Sequence, residues 1–125
     1  MSGLRTMLTA LIVATGADAL RASEDVVWTF ASCTGRLSAQ MEHQWLMSDP
    51  TSDQTAARRA AMISLLEATM APDQGRTVLS WRIEAKHAQA QLLTRAHFNN
   101  DDEDAAWAQN RAEAEIAACN GLLLS

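Results

Sequence analysis

The sequence predicts an all-α protein: a four-helix, up-and-down antiparallel bundle preceded by a signal peptide. Three observations carry that expectation. Hydrophobic residues make up 48% of the 125-residue chain, enough to drive folding rather than disorder, and one domain with a single core is what this length supports. Alanine, leucine, glutamine, glutamate and arginine are plentiful while tyrosine is absent, a mix that favours helix over strand. Apolar residues recur every three or four positions through four stretches, and both prolines, Pro50 and Pro72, fall between stretches, where loss of the N–H and the fixed ring are tolerated.

The N-terminal segment stands apart. Arg5 precedes an apolar run from Met7 to Ala17, followed by small residues, and Ala17-Asp18-Ala19 fits the small-x-small pattern of a cleavage site. Residues 1–22 are read as a secretory signal peptide cut after Ala19 or Ala22, leaving residues 23–125 as a single helical domain. The plain alternative is an N-terminal helix. The run is shorter than the ~20 residues that cross a bilayer, and no later stretch is apolar enough to span, so no transmembrane segment is expected. Cutting after Ala22 removes Arg5, Arg21 and Asp18 (two positive charges and one negative), which moves the net charge from −5 to −6.

The first helix is expected from about Glu24 to Met47, with Ser23 as N-cap and Val26, Phe30, Cys33, Leu37 and Met41 as its apolar stripe. "SDPTSD" then interrupts the chain, because a residue preceding proline avoids helical geometry. A second helix follows from Ser52 or Asp53 to about Met70, with Met62, Ile63, Leu65, Leu66 and Met70 on its apolar face, and "APDQG" ends it. The third runs from Asp73–Gly75 to about Phe98. It shows two stripes, one through Leu79, Ile83, Ala90 and Leu93, the other through Val78, Ala85, Leu92 and Ala96. A helix apolar on two sides is expected to lie between neighbours. In the fourth, Asn99 or Asn100 is the expected N-cap, and the acids from Asp101 to Asp104 suit the positive helix end. Ala105, Ala108, Ala112, Ile116 and Cys119 share a face, Gly121 is the expected stop, and Leu122–Leu124 could fold back on the core.

Short connections make sequential helices antiparallel neighbours and set the first helix beside the fourth. Cys33 lies early in the first helix and Cys119 late in the fourth, so the two meet at one height and are expected to form a disulfide. Two cysteines without a C-x-x-C spacing in a small chain with a leader point to the periplasm or the extracellular space.

Charge and motif exclude several classes. An acidic chain with one lysine, Lys86, and no basic run is a poor ligand for nucleic acid or anionic membranes. Glu42 and His43 are adjacent and diverge by about 100° on a helix. His87 and His97 are ten residues apart, about 15 Å along a helix axis. Neither pair forms a metal motif, and no metal or other cofactor is expected. The Asp101–Asp104 run lacks the alternation of a calcium loop. No nucleophile motif or phosphate-binding glycine loop is present, so no catalysis is expected.

What remains is binding. Ser32, Gly35 and Ala39 form a strip of small residues flanked by Trp28 and Leu46, which could admit a helix of the same chain or of a partner. The expected function is that of a protein-binding module with an unidentified partner, envelope-associated or a second copy of the chain in a homodimer. The competing expectation is a carrier of a small ligand or metal with a pocket near Lys86, His87 and His97. Lys86 shares the phase of the Leu79 stripe, where a charge needs a partner, and Glu42 or Glu115 could supply one.

Overall fold

The structure, a computed structural model, describes residues 15–124. Residues 1–14, which hold most of the expected leader, lie outside the described residues. Four α-helices follow in order: α1 (Thr15–Leu46), α2 (Ser52–Thr69), α3 (Gly75–His97) and α4 (Asp102–Leu124), with a 3₁₀ turn at Pro72–Gln74 before α3. No strand occurs among the described residues. The chain is all-α, as its composition predicts.

Helix α1 begins well ahead of Glu24. The stretch from Thr15 to Ala22 contains no proline and is rich in alanine, so nothing interrupts the helix there. Ser23 is therefore interior rather than an N-cap. Every residue from Gly16 to Val26 is exposed, and packing starts at Val27. The buried stripe of α1 follows from this shift: Val27, Ala31, Cys33, Leu37 and Met41 are buried, while Val26 is not.

Helix α1 closes through Ser48, whose φ of 54° lies in the left-handed region. The Asp49 N–H donates to Gln44 O at 2.8 Å, which satisfies a carbonyl the helix leaves over. Pro50 then prevents continuation. The Asp49 carboxylate accepts from the Thr51 N–H (2.9 Å) and the Thr51 hydroxyl (2.7 Å). These bonds favour the charged form and hold its pKa below the ordinary carboxylate value.

At the start of α4 the N-cap is Asp101, not Asn99 or Asn100. Its Oδ1 accepts from the Glu103 and Asp104 N–H groups at 3.1 and 3.2 Å. Asn99 acts one step earlier, accepting from the Asp101 N–H (3.0 Å) and donating to Asp104 (2.6 Å). Gly121 does not end α4. It keeps helical backbone, and the helix runs on to Leu124. The terminal leucines stay in the helix instead of folding back. Leu123 packs on the cluster of Cys33, Leu37, Met62 and Cys119, whereas Leu124 is exposed.

Helix α1 is the central element. It packs against α2 antiparallel, with Val27 near Leu66 and Ser38 bonded to Arg59 (2.6 Å). Its most extensive contact is with α3, which runs parallel to it: Val27 meets Val78, Arg36 bonds Gln89 (2.9 Å), and the His43 and His97 rings lie 4.5 Å apart. Helix α4 packs mainly on α3 and reaches α1 over a shorter span, through the disulfide and an Arg36–Glu115 ion pair at 3.5 Å. The expected side-by-side packing of the first and fourth helices is thus subordinate to an α1–α3 contact that the sequence reading did not anticipate.

The reason lies at Gly35. A Cβ built there would lie within 2.9 Å of Lys86 N and 3.0 Å of Arg82 C, against the carbonyl-to-amide rung of α3. Only a residue without a side chain lets the two backbones approach so closely. Ser32 and Ala39, one turn to either side, are buried with it. The small strip is largely taken up inside the molecule, with Gly35 against α3, while Ser32 also borders an open groove between α1, α3 and α4.

The two-stripe reading of α3 needs a similar correction. Val78, Ala85, Gln89 and Leu93 face inward, while Leu79 and Ile83 are 52% and 59% exposed. Helix α3 does lie between neighbours, α1 and α4, but Leu79 and Ile83 line a shallow open groove beside Gly35 and Arg59 instead of a core.

Candidate functional site

The disulfide expected from the sequence is present. Cys33 and Cys119 are bonded, with α-carbons 5.4 Å apart. Among the residues predicted for ligand binding, Lys86 forms a 2.7 Å ion pair with Glu42 at the surface. It shares a phase with Leu79 and Ile83, and that face is solvated, so the charge is not stranded in a core. His87 is exposed and bonded to Gln91 at 3.0 Å. His97 stands at the far end of α3 against His43. The helical spacing keeps Lys86 and His87 away from His97: His97 lines one cavity and Lys86 borders a different one. The predicted Lys86–His87–His97 pocket is not formed.

Of the predicted partner-contact residues, Trp28 and Leu46 remain available, at 51% and 69% exposure. They do not share a surface. Trp28 lines a groove of about 570 Å³ formed by α1, α3 and α4. Trp81, Ala85, Ala88, Ala118 and Leu122 form its apolar walls, and the Cys33–Cys119 bond lies beneath. Arg36, Arg111 and Glu115 sit at the rim. Arg111 (2.6 Å) and Arg36 (3.5 Å) share the Glu115 carboxylate, and Glu84, also on the groove, supplies the second negative charge that balances them. The groove therefore offers apolar contact with little net field.

Beneath that rim Gln89 joins three helices. Fully buried on α3, it accepts from Arg36 on α1 and donates to the Ala112 carbonyl on α4 at 3.2 Å. The signal for Gln89 in the sequence is its phase with Val78, Ala85 and Leu93, which marks it as a polar residue on an inward stripe. Such a residue must find partners, because a buried amide without them is costly.

A second cavity, about 610 Å³, opens where α1 and α3 end beside α4. His43 and His97 stand together on one wall, with Gln44 and Asp49 beside them. Asn120 and Glu113 approach from α4. His43, which the sequence offers only as a neighbour of Glu42 without a metal motif, is half-buried, and its Nε2 has no hydrogen-bond partner. Burial and the neighbouring His97 both hold its pKa below 6.5. The folded state thus resists a proton that the unfolded chain accepts, so stability falls as the pH drops through the ordinary histidine range. Chemical denaturation is expected to show a lower midpoint at about pH 5.5 than at about pH 7.5, and His43→Gln should flatten that difference. Equal pH dependence in the two proteins would refute the assignment. Asp49 and Asp104, whose pKa values are depressed, lose their contribution only below the carboxylate range, outside this window.

Among the described residues no group of three or more His, Cys, Asp or Glu side chains is placed to hold a metal. No described helix is long and apolar enough to cross a membrane. No protein-family model, curated protein or solved structure matches the chain.

Proposed function

We propose that this chain is a small exported protein, processed after Ala19 or Ala22, that folds as an up-and-down bundle and acts by binding another protein rather than by chemistry of its own. The observation that carries the reading is the half-exposed Trp28 beside Trp81 and Leu122, above a buried disulfide. Tryptophan at the mouth of an apolar groove supplies a large contact area at little conformational cost, and such residues dominate binding energies. Internal pairing of the rim charges favours an apolar anchor on the partner over a charged one. Export is supported by the disulfide, which persists in oxidising compartments. It is also supported by the exposure of Gly16–Ala22, whose removal would strip no buried side chain from the described fold.

Two measurements on the chain recovered from its host test this. Intact mass without reductant is expected to show a chain starting at Leu20 or Ser23 and lacking both thiol hydrogens. An untrimmed, reduced chain would contradict export. A photocrosslinking residue at Trp28 is expected to trap a defined envelope protein, or a second copy of the chain, while the same residue at Arg58 on α2 traps neither. Equal labelling from both positions, or from neither, would remove the groove as the binding surface.

A further inference from the structure

We propose that the polar cleft at the end of α1 binds a small aliphatic amine in its ammonium form. This site is distinct from the Trp28 groove and does not depend on the protein-binding reading.

The cleft presents acceptors that the fold leaves unmet. Gln44 is only 9% exposed. Its Nε2 donates to the Thr51 hydroxyl at 3.1 Å, and that hydroxyl donates in turn to Asp49. This chain of bonds fixes the orientation of the amide and leaves its oxygen as the atom without a partner. Asn120 Oδ1 is likewise buried and unpartnered but lies at the other end of the cleft, next to the Cys33–Cys119 bond, so the amine head is placed at Gln44. Among the described residues, the buried side-chain atoms without a partner are these two oxygens and His43 Nε2, and all three belong to residues lining this one cleft. Buried acceptors are satisfied by N–H or O–H donors, and an ammonium group brings three N–H donors and no acceptor.

Charge selects the cation. Asp49 and Glu113 line the cleft, and no lysine or arginine does. Asp49 is held in its ionised form by Thr51, and the depressed basicity of His43 disfavours a positive charge on that ring. Leu93, Ala112 and Ile116 supply an apolar surface against which a short methylene chain can lie. The volume falls in the range of small-molecule sites. An anion would meet two carboxylates. A metal ion would lack a converging set of three ligands.

The test uses the full oxidised chain and butylamine at neutral pH, followed by NMR of side-chain amides. Saturable shifts of the Gln44 side-chain amide signals are expected, with a Kd on the order of 1 mM for so small a probe. The neutral isostere 1-butanol should leave these signals unmoved. Glu113 is exposed, so Glu113→Gln is expected to keep the wild-type unfolding midpoint while weakening butylamine about tenfold. Glu84→Gln, at the other groove, is expected to change nothing. Butanol binding as well as butylamine would overturn the proposal, as would zinc chloride or inorganic phosphate giving the saturable response in its place, or no saturation by about 50 mM.

Discussion

Reducing the Cys33–Cys119 bond is expected to lower the free energy of unfolding by about 4 kcal/mol, the largest single effect on this fold. The bond joins residues 86 apart, and a cross-link over a loop of that length removes much of the freedom of the unfolded chain. Domains of this size are commonly stable by only ~5–15 kcal/mol. The loss is therefore a large fraction of the whole, equivalent to a fall in Tm on the order of 20 °C. The two half-cystines are nearly fully buried beside Leu37 and Met62, so the reduced thiols still fit as small apolar groups and packing changes little. Denaturation of the oxidised and reduced chains, with the Cys33→Ser/Cys119→Ser double variant alongside, reads the effect. A change below about 1 kcal/mol would mean that α1 and α4 already hold each other in place without the bond.

Gly35→Ala is expected to destabilise by about 3 kcal/mol, against the intrinsic preference of helices. In an exposed helix interior the same change stabilises by ~1 kcal/mol. At Gly35 the new methyl would press on the Arg82–Lys86 backbone of α3, which cannot rotate away as a side chain can, so α1 and α3 must separate or bend. Gly121 is the matched control. It is also helical, but nothing lies within 4 Å of a Cβ built there. Gly121→Ala should gain ~0.5–1 kcal/mol. Opposite signs at the two glycines, read from urea midpoints, support the close α1–α3 crossing. A gain at both would show that the crossing is looser than described.

Several features were legible from residue spacing alone. The ends of α2 and α3 follow from Pro50, Pro72 and the polar clusters around them, and the structure places both helices close to the expected limits. The inward face of α4, with Ala108, Ala112 and Cys119, was read correctly from its period. A counter-charge for Lys86 was expected from Glu42 or Glu115, and the structure supplies Glu42, while Glu115 pairs with arginines. Other expectations failed for identifiable reasons. Asp101 displaced Asn99 as the cap because three consecutive candidates compete for one position, and backbone geometry chooses among them. Gly121 kept helical geometry because glycine permits the left-handed stop without compelling it. The Leu79–Ile83 stripe was indistinguishable from the Val78–Ala85 stripe in the sequence, because both are apolar at helical spacing and only the position of α1 decides which is covered.

The candidate sites were the least legible part. The small strip on α1 announced a close helix contact but did not say with what, and α3 of the same chain took it. His43 and His97 lie 54 residues apart in order, and nothing local links them. They meet because α1 and α3 run parallel and end together. By itself the sequence determined the helical class, the breaks between helices and the pairing of its two sulfurs, since these depend on period, backbone chemistry and count. Only the tertiary structure decided which helix lies at the centre, which apolar faces stay exposed and which polar atoms share the cleft. Those outcomes depend on how closely two backbones can approach at Gly35, and no local pattern encodes the identity of the second backbone.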